Sequence, residues 1–310
     1  MSVQRTSSTG GRNIFWPLLI VALGGVLIAL ALDVFPATVA DLIRRAWPAL
    51  LVFVGLTVLL EQIRPLRRFA PLIALILTAG GVAFTVTIAY STRAEIPRAE
   101  NVVRFEQVLD DSVERLHVIV RGQQTSVEIS PVVPDQQTLL NAEFVGSTES
   151  VVTPEFSVNE EGVASFVFEE TRPNDIPSLE AIGRGQMRIE LPLGVPIALD
   201  FTTENGTVSL NLLGLEITRL DVVMQQGDLL LGLPRSALER RAEVFVGRGD
   251  VTVFVPEDVG LQVTSNATPQ FSGGNYLFDP ASGAYLSRRF DDLETKIELN
   301  LTAGGRIQLQ

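Results

Sequence analysis

The sequence predicts N-terminal transmembrane α-helices followed by an all-β domain of stacked β rungs, a solenoid-like arrangement. Three observations predict this: long uncharged apolar runs within residues 14–90, an excess of acidic residues in 91–310, and strand-like segments after residue 112 that recur at a nearly fixed interval. Apolar runs of about 20 residues are typical of membrane-spanning helices, whereas period-two alternation is typical of half-buried strands. An antiparallel β-sandwich is the alternative for the second part.

The composition excludes several kinds of site. The chain has 310 residues, one histidine (His117) and no cysteine, which removes disulfides, thiol catalysis and cysteine-based zinc sites. The net charge of −12 argues against nucleic acid as a partner. A hydrophobic fraction of 46% with 19% charged residues is typical of a membrane protein with an acidic soluble part. We expect no cofactor, no metal and no enzymatic activity.

The charge divides the chain near residue 90. Residues 1–90 contain seven Arg and three acidic residues, a net of +4, whereas residues 91–310 contain 17 basic and 33 acidic residues, a net of −16. The predicted domains are an N-terminal tail at 1–13, a membrane domain at 14–90, a juxtamembrane linker at 91–111 and an all-β repeat domain at 112–310.

Three apolar runs predict helices at about 14–32, 46–60 and 69–90. The first has 19 uncharged residues and the third has 22, and at about 1.5 Å per residue each is long enough for a bilayer core of about 30 Å. The middle run has 15 residues, fewer than the usual minimum of about 17. It spans only if the bilayer thins or if Arg44 and Arg45 snorkel; otherwise it is re-entrant or interfacial. The first run also resembles a signal peptide, although its length favours an uncleaved anchor.

Two Trp-Pro pairs begin the first two runs. Trp16-Pro17 is followed by Gly24, and Trp47-Pro48 is followed by Gly55 at the same offset. Proline is tolerated in the first turn of a helix, and tryptophan prefers the membrane interface. The side chains expected at the membrane interface are Trp16, Trp47, Arg44, Arg45, Arg67, Arg68 and Tyr90.

This pattern of paired Trp-Pro helices over residues 14–68 resembles the LiaI/LiaF-type transmembrane region, which in bacteria is associated with cell-envelope stress sensing. In a protein with this function, the helices contact a partner as well as anchoring the chain. Its implied partners are the lipid bilayer and a membrane sensor kinase or another envelope protein, and a homo-oligomer is compatible with it.

The distribution of basic residues predicts the orientation. The N-terminal tail and the 61–68 loop together carry five Arg, against two in the 33–45 loop. The positive-inside rule then places the tail in the cytoplasm and, with three helices, the β domain outside. Three further Arg follow the third run and bring the outer side to five, but long domains translocate largely regardless of charge.

A repeat within residues 183–256 predicts the rungs. Gly206, Gly227 and Gly249 each precede a small polar residue and alternating aliphatic residues, and they are 21 and 22 residues apart. A fixed period near 20 residues indicates stacked rungs, and glycine supplies the positive φ that a corner needs. The predicted corner residues are Gly206, Gly227, Asp228, Gly249 and Asp250.

These Gly-Asp strands resemble the putative-adhesin, or toastrack, β-repeat domains and the C-terminal domain of LiaF-like proteins. The segment from Lys296 to Ile307 is similar to a closing rung. The resemblance covers roughly residues 112–310 and implies a non-enzymatic β fold.

Candidate chemistry is sparse. Asp228 and Asp250 are candidate Ca²⁺ ligands, but Thr207 takes the equivalent place in the first unit. We therefore expect each aspartate to cap its own turn. The doublets Glu160-Glu161 and Glu169-Glu170 are expected on the solvated surface. His117 is expected on the exposed face of a strand. We assign no catalytic residue.

Two functions remain. The first is a membrane-anchored envelope-stress sensor or regulator whose β domain is an interaction module. The second is a surface adhesin or structural scaffold anchored in the membrane. They differ in whether the helices do more than anchor.

Overall fold

The computed structural model describes residues 47–61, 69–94, 96–133, 138–173, 183–272 and 276–310. The chain forms two compact units that divide between Ile88 and Ala89, and each is described by itself. The predicted helix at 14–32 and the interface candidates Trp16, Arg44, Arg45, Arg67 and Arg68 lie outside the described residues.

Two apolar helices make up the described part of the first unit. Helix α1 spans Trp47–Glu61 and helix α2 spans Ala70–Ala94. Within α2, residues Leu72–Ala89 have a mean hydropathy of 2.2, and 6% of this window is buried. Among the described residues, α2 is the one helix long and apolar enough to cross a membrane. With its 15 residues, α1 is shorter than such a span, so the described residues do not support three membrane-crossing helices.

Several threonine hydroxyls in these helices, though not that of Thr78, bond to the helix backbone. Thr57 Oγ1 donates to the carbonyl of Phe53 at 2.8 Å, and Thr85 Oγ1 donates to the carbonyl of Gly81 at 2.8 Å. A threonine that bonds four residues back leaves no unsatisfied hydroxyl in an apolar environment.

Residues 91–111 are not the linker that the sequence predicts. Helix α2 continues to Ala94, and strand β1 (Asn101–Val108) pairs antiparallel with strand β3 (Leu139–Gly146). Val103 and Phe105 of β1 pack against the core, while the alternating residues Val102, Arg104, Glu106 and Val108 are exposed. The β domain therefore begins about ten residues earlier than expected, with a strand whose polar face had suggested a linker.

The remaining strands follow without a helix among the described residues after Ala94. They are β2 (Arg115–Pro131), β4 (Val151–Val158), β5 (Val163–Thr171), β6 (Gly185–Leu191), β7 (Ile197–Asn205), β8 (Val208–Asn211), β9 (Ile217–Gln226), β10 (Leu229–Gly232), β11 (Ala242–Val246), β12 (Val251–Phe254), β13 (Val259–Ser265), β14 (Gln270–Phe271), β15 (Tyr276–Asp279), β16 (Ala284–Ser287), β17 (Thr295–Ala303) and β18 (Ile307–Leu309).

The strands form two ladders that share strand β2. The second half of β2 lies in the ladder β1-β3-β6-β2-β8-β10-β12-β18-β14, here called sheet I. The first half lies in the ladder β4-β5-β2-β7-β9-β11-β17-β13-β16-β15, here called sheet II. Each central rung contributes one strand to sheet II and, after a corner, one to sheet I. The all-β prediction is confirmed, and the central strands pair in parallel as rungs rather than antiparallel.

In-register stacking of aliphatic side chains builds the core. Sheet II stacks Phe201 on Val222 and Val222 on Val244 across adjacent strands, and all three are buried. Sheet I stacks Leu210 on Leu231 in the same way. Period-two alternation turns every second side chain inward, so one repeated sequence pattern supplies both inner faces.

The last rung in the sequence is not the last rung in the stack. Strand β17 pairs with β11 on one side and with β13 on the other, and β18 lies between β12 and β14. The segment Lys296–Ile307, expected to close the stack, is therefore inserted between two earlier rungs.

Antiparallel strands cover both ends of sheet II. Strand β4 pairs with β5 at one end, and the hairpin β15–β16 covers β13 at the other. Pro154 lies in the outermost strand β4, and edge strands are where proline is found within sheets.

Candidate interaction surface

The rung corners depend on glycine because neighbouring corners touch. Gly227 has φ = 123° and Gly249 has φ = 138°, in the region that favours glycine. A Cβ on Gly227 would overlap the carbonyl oxygen of Gly206, and a Cβ on Gly249 would overlap the carbonyl oxygen of Gly227. The three corner glycines thus stack directly on one another, between β7 and β8, β9 and β10, and β11 and β12.

The aspartates beside these glycines bind the next rung rather than their own turn. Asp228 Oδ1 accepts a hydrogen bond from the Asp250 N–H at 2.9 Å, and Asp250 Oδ1 accepts one from the Arg306 N–H at 2.8 Å. The Arg306 guanidinium also bonds Asp250 Oδ2 at 2.7 Å. The backbone hydrogen bond from Arg306, followed by its side-chain hydrogen bonds, lowers the pKa of Asp250. The expectation of a local cap was wrong because the repeat places an N–H of the neighbouring rung within reach.

The described residues contain no group of three or more acidic or histidine side chains that could hold a metal ion. Asp228 and Asp250 are instead committed to the ladder between the rungs. The geometry therefore assigns them a structural role in holding the corners in register.

Glu170 is buried, contrary to the surface position expected for the Glu169-Glu170 doublet. One of its oxygens accepts hydrogen bonds from the backbone N–H groups of Gln123 and Gln124, at 2.8 and 3.1 Å. The other accepts from Ser150 Oγ at 2.7 Å and pairs with Arg172 at 3.3 Å. Burial alone would raise the pKa of Glu170, but the hydrogen bonds from Ser150 and Gln123 and the charge of Arg172 together lower it.

This buried carboxylate lies where β2 passes from sheet II to sheet I. Gln123 and Gln124 stand between the half of β2 that pairs with β5 and the half that pairs with β6. Backbone groups at such a crossing lose their ladder partners, and Glu170 supplies acceptors for two of them. Glu160 and Glu161, by contrast, are exposed as expected.

The outer face of sheet II carries a row of ion pairs. His117 Nε2 lies 2.7 Å from Asp200 Oδ2, and Arg219 Nη2 lies 3.0 Å from Asp200 Oδ1. Arg219 also pairs with Asp221, whose hydrogen bond is the main cause of the raised pKa of Arg219. His117 is half-buried on this face and joins three strands through Asp200.

Residues 97–254 match the family model described as the N-terminal domain of toast_rack, DUF2154. This match covers half of the chain and runs from the segment before β1 to the end of β12. The chain belongs to this toastrack family. The toastrack match ends before β13, so the inserted rung and the β15–β16 hairpin follow it in the sequence.

A solved structure shares the fold of the toastrack domain. A putative cell adhesion protein from Clostridium sporogenes superimposes with a TM-score of 0.53 at 14% identity, over 67% of this chain and 99% of that one. No curated protein matches the chain.

The structure brings the predicted corner residues together, whereas most of the predicted interface residues lie outside the described residues. Gly206, Gly227, Asp228, Gly249 and Asp250 form one continuous corner edge of the toastrack domain. Of the interface candidates, Trp47 begins α1 and Tyr90 lies in α2. The Glu170 cluster and the row through His117 and Asp200 were not predicted as sites.

Proposed function

We propose that the protein is a membrane-anchored, non-enzymatic interaction module of the bacterial cell envelope, which senses or regulates envelope stress. Helix α2 carries the proposal. Its window Leu72–Ala89 is almost wholly apolar and unburied, and it presents large exposed side chains such as Leu72, Ile76 and Phe84. Exposed apolar surface of this extent on a helix is stable in lipid and costly in water.

The connection between the helix and the toastrack domain is short. Helix α2 ends at Ala94, and the Ile96 carbonyl already accepts a hydrogen bond from the Arg184 N–H at 2.8 Å. The Arg98 N–H donates back to the Arg184 carbonyl at 3.0 Å. We propose that these hydrogen bonds, which begin two residues after the helix end, pass a movement of the helix to residues 96–98. This supports a regulator more than a passive tether.

The proposed partner is a membrane sensor kinase or another envelope protein that contacts the helices. The Trp-Pro pairs resemble the LiaI/LiaF-type transmembrane region, and this resemblance supports the choice. In the proposed topology the chain crosses the membrane three times, with the short helix α1 spanning a locally thinned bilayer. Its N-terminus is then cytoplasmic and its toastrack domain extracytoplasmic.

Protease protection tests this topology. In intact spheroplasts, external protease should digest the toastrack domain while a tag at residue 2 remains protected, and detergent should expose the tag. A protected toastrack domain beside a digested control protein would contradict the extracytoplasmic placement.

A membrane-anchored adhesin or scaffold is the second candidate. The fold shared with the Clostridium sporogenes protein supports it. Replacing residues 14–90 by a single-span anchor separates the two functions, because an adhesin needs only attachment, whereas a regulator needs its own helices. The measurements are an envelope-stress reporter under a cell-wall antibiotic and cell-to-surface adhesion. A lost reporter response with retained surface display favours the regulator; an intact response in the anchor variant argues against it.

A further inference from the structure

A groove of about 430 Å³ runs across the outer face of sheet I. It crosses four adjacent strands, β3, β6, β2 and β8. Three strand intervals of about 4.8 Å make it roughly 14 Å long. Its volume falls within the ~300–1,000 Å³ typical of small-molecule sites.

The groove exists because short side chains lie between longer ones. Two parallel rows of outward side chains line it. The rows are Glu143, Arg188, Glu128 and Ser209, and Val145, Gln186, Ser126 and Thr207. Ser209 and Thr207 form a low floor beside the long side chains of Glu128 and Arg188. The next residue in the first row, Leu230, is exposed on β10 and is not part of the groove lining.

The charged groups in the groove are already paired. Arg188 Nη2 lies 3.2 Å from Glu128 Oε2, and Arg104 Nε lies 2.7 Å from Glu143 Oε1. Arg104 lies on β1 beside Glu143, outside the groove lining. With the three charged residues of the row it makes a series of four charges that alternate in sign and cancel. An ionic ligand would have to break one of these pairs, so the site favours an uncharged ligand.

The uncharged side chains of the groove are available for a ligand. Within the described part of the chain, the side chains of Ser126, Gln186, Thr207 and Ser209 make no hydrogen bond to another protein group. Three hydroxyls and one amide offer both donors and acceptors. Val145 adds an apolar contact at one end.

The face excludes one alternative ligand, an extended peptide bound by strand addition. Each of the four strands is paired on both sides, so their backbone groups are already used in the ladder. Strand addition needs a free edge. A ligand here must instead be recognised by side chains alone.

We infer that this groove binds a short stretch of a neutral oligosaccharide. Sugar hydroxyls match the uncommitted hydroxyl and amide groups, and the C–H face of a ring matches Val145. The inference deepens the proposed function, on which it rests for access to envelope glycans; the binding itself is a property of the purified protein.

The test uses the full chain in nanodiscs, with triacetylchitotriose and cellotriose as separate probes. Saturation-transfer NMR and titration calorimetry measure binding to the wild type, Gln186→Ala, Ser209→Phe and a matched control, Thr252→Phe. Thr252 is outward on the same sheet, two strands beyond Ser209 and outside the groove. Matching thermal unfolding curves establish that the variants are folded.

We expect one of the two sugars to bind the wild type. Triacetylchitotriose carries acetamido groups and cellotriose does not, so the sugar that binds shows whether this group is required. Ser209→Phe fills the floor and should weaken binding about tenfold or more, while Gln186→Ala should weaken it by roughly threefold to tenfold. Thr252→Phe should bind as the wild type does. No transfer from either sugar to the wild type, or equal binding by all four proteins, would overturn the inference. Neither result depends on how the chain is oriented in the membrane. A failure of the sugar-binding inference can therefore be told apart from a failure of the proposed function.

Discussion

The carboxylate of Asp250 accepts hydrogen bonds from both the backbone N–H and the guanidinium of Arg306, a residue 56 positions later in the chain. In the corner series, Asp228 bonds Asp250 and Asp250 bonds Arg306. At the corner of the inserted rung, Arg306 takes the place that an aspartate has in the two rungs before it. The two negative charges of Asp228 and Asp250 are therefore followed by a positive charge, which pairs with Asp250.

Neutralising Asp250 should reduce stability in a pH-dependent way. Its pKa is lowered in the folded state, so its contribution is present above the unfolded pKa of about 4 and is lost as pH falls through the folded value. Because the side chain is 41% exposed, Asp250→Asn should cost less than ~1 kcal/mol at pH 7. Urea unfolding between pH 7 and pH 3 measures the difference, which should shrink on acidification. The control is Asp258→Asn, which removes a longer ion pair, between a more exposed aspartate and Arg235, and should change the free energy of unfolding less than Asp250→Asn does. A loss at pH 7 that is equally large at pH 3 would contradict the assignment.

Removing the buried carboxylate of Glu170 should destabilise the toastrack domain much more. Glu170→Ala removes the carboxylate partner of Arg172, which keeps its hydrogen bonds to Gln124 and Gly183. It also leaves two backbone N–H groups without their acceptor, and we expect a loss of about 3–5 kcal/mol. The lowered folded pKa again implies a contribution that is complete above the unfolded pKa and lost in acid. Thermal unfolding at pH 7 and at lower pH measures both effects.

Glu169→Ala is the matched control for Glu170. Glu169 precedes it in the chain but pairs with Arg121 on the surface, so its loss should cost at most ~1 kcal/mol. Equal losses for the two variants would show that the buried cluster has no special role.

The sequence predicted the corners because they repeat, and it missed features that do not repeat. The interval between Gly227 and Gly249 is visible in one chain, whereas nothing local distinguishes β17 from another rung or reveals its insertion between β11 and β13. Strand β1 was missed because its exposed face carries charge. Glu170 could have been found: it continues the alternation of Phe166 and Phe168 and therefore points inward. The groove on sheet I needs strands from distant parts of the chain and has no sequence signal.

Replacing Gly227 by alanine should cost more than its positive φ alone explains. The added Cβ would overlap the Gly206 carbonyl oxygen, so the backbone strain and the contact together should cost about 2–4 kcal/mol. Gly214→Ala is the control, since Gly214 has φ = 83° with open space around the Cβ position, and about 1 kcal/mol is expected. Chemical denaturation gives both values. Equal losses would show that the corners do not need to approach so closely.

The inserted rung should behave as the middle of the stack rather than its end. Leu299 is buried in β17 between β11 and β13, so Leu299→Ala should cost about 2–5 kcal/mol. Amide hydrogen exchange should accelerate in both neighbouring strands. Leu277→Ala, on the exposed hairpin strand β15, should cost less than ~0.5 kcal/mol. Faster exchange in β13 alone, with β11 unchanged, would contradict the insertion.

Gly183 should control how firmly the segment after helix α2 is held. A Cβ at this position would overlap Arg98 Cγ and would lie 2.8 Å from the Ile96 carbonyl oxygen. Gly183→Ala should therefore displace residues 96–98 and break their pairing with Arg184, while the rung core stays intact. Limited proteolysis should cleave near residues 95–100 faster than in the wild type, with little change in the thermal unfolding of the toastrack domain. Gly232→Ala is the control, because its Cβ would meet only ordinary contacts, the nearest at 3.5 Å.

If helix movements act through residues 96–98, Gly183→Ala should also weaken the envelope-stress reporter response at an unchanged protein level. Faster cleavage with a full reporter response would mean that the signal does not pass through this segment.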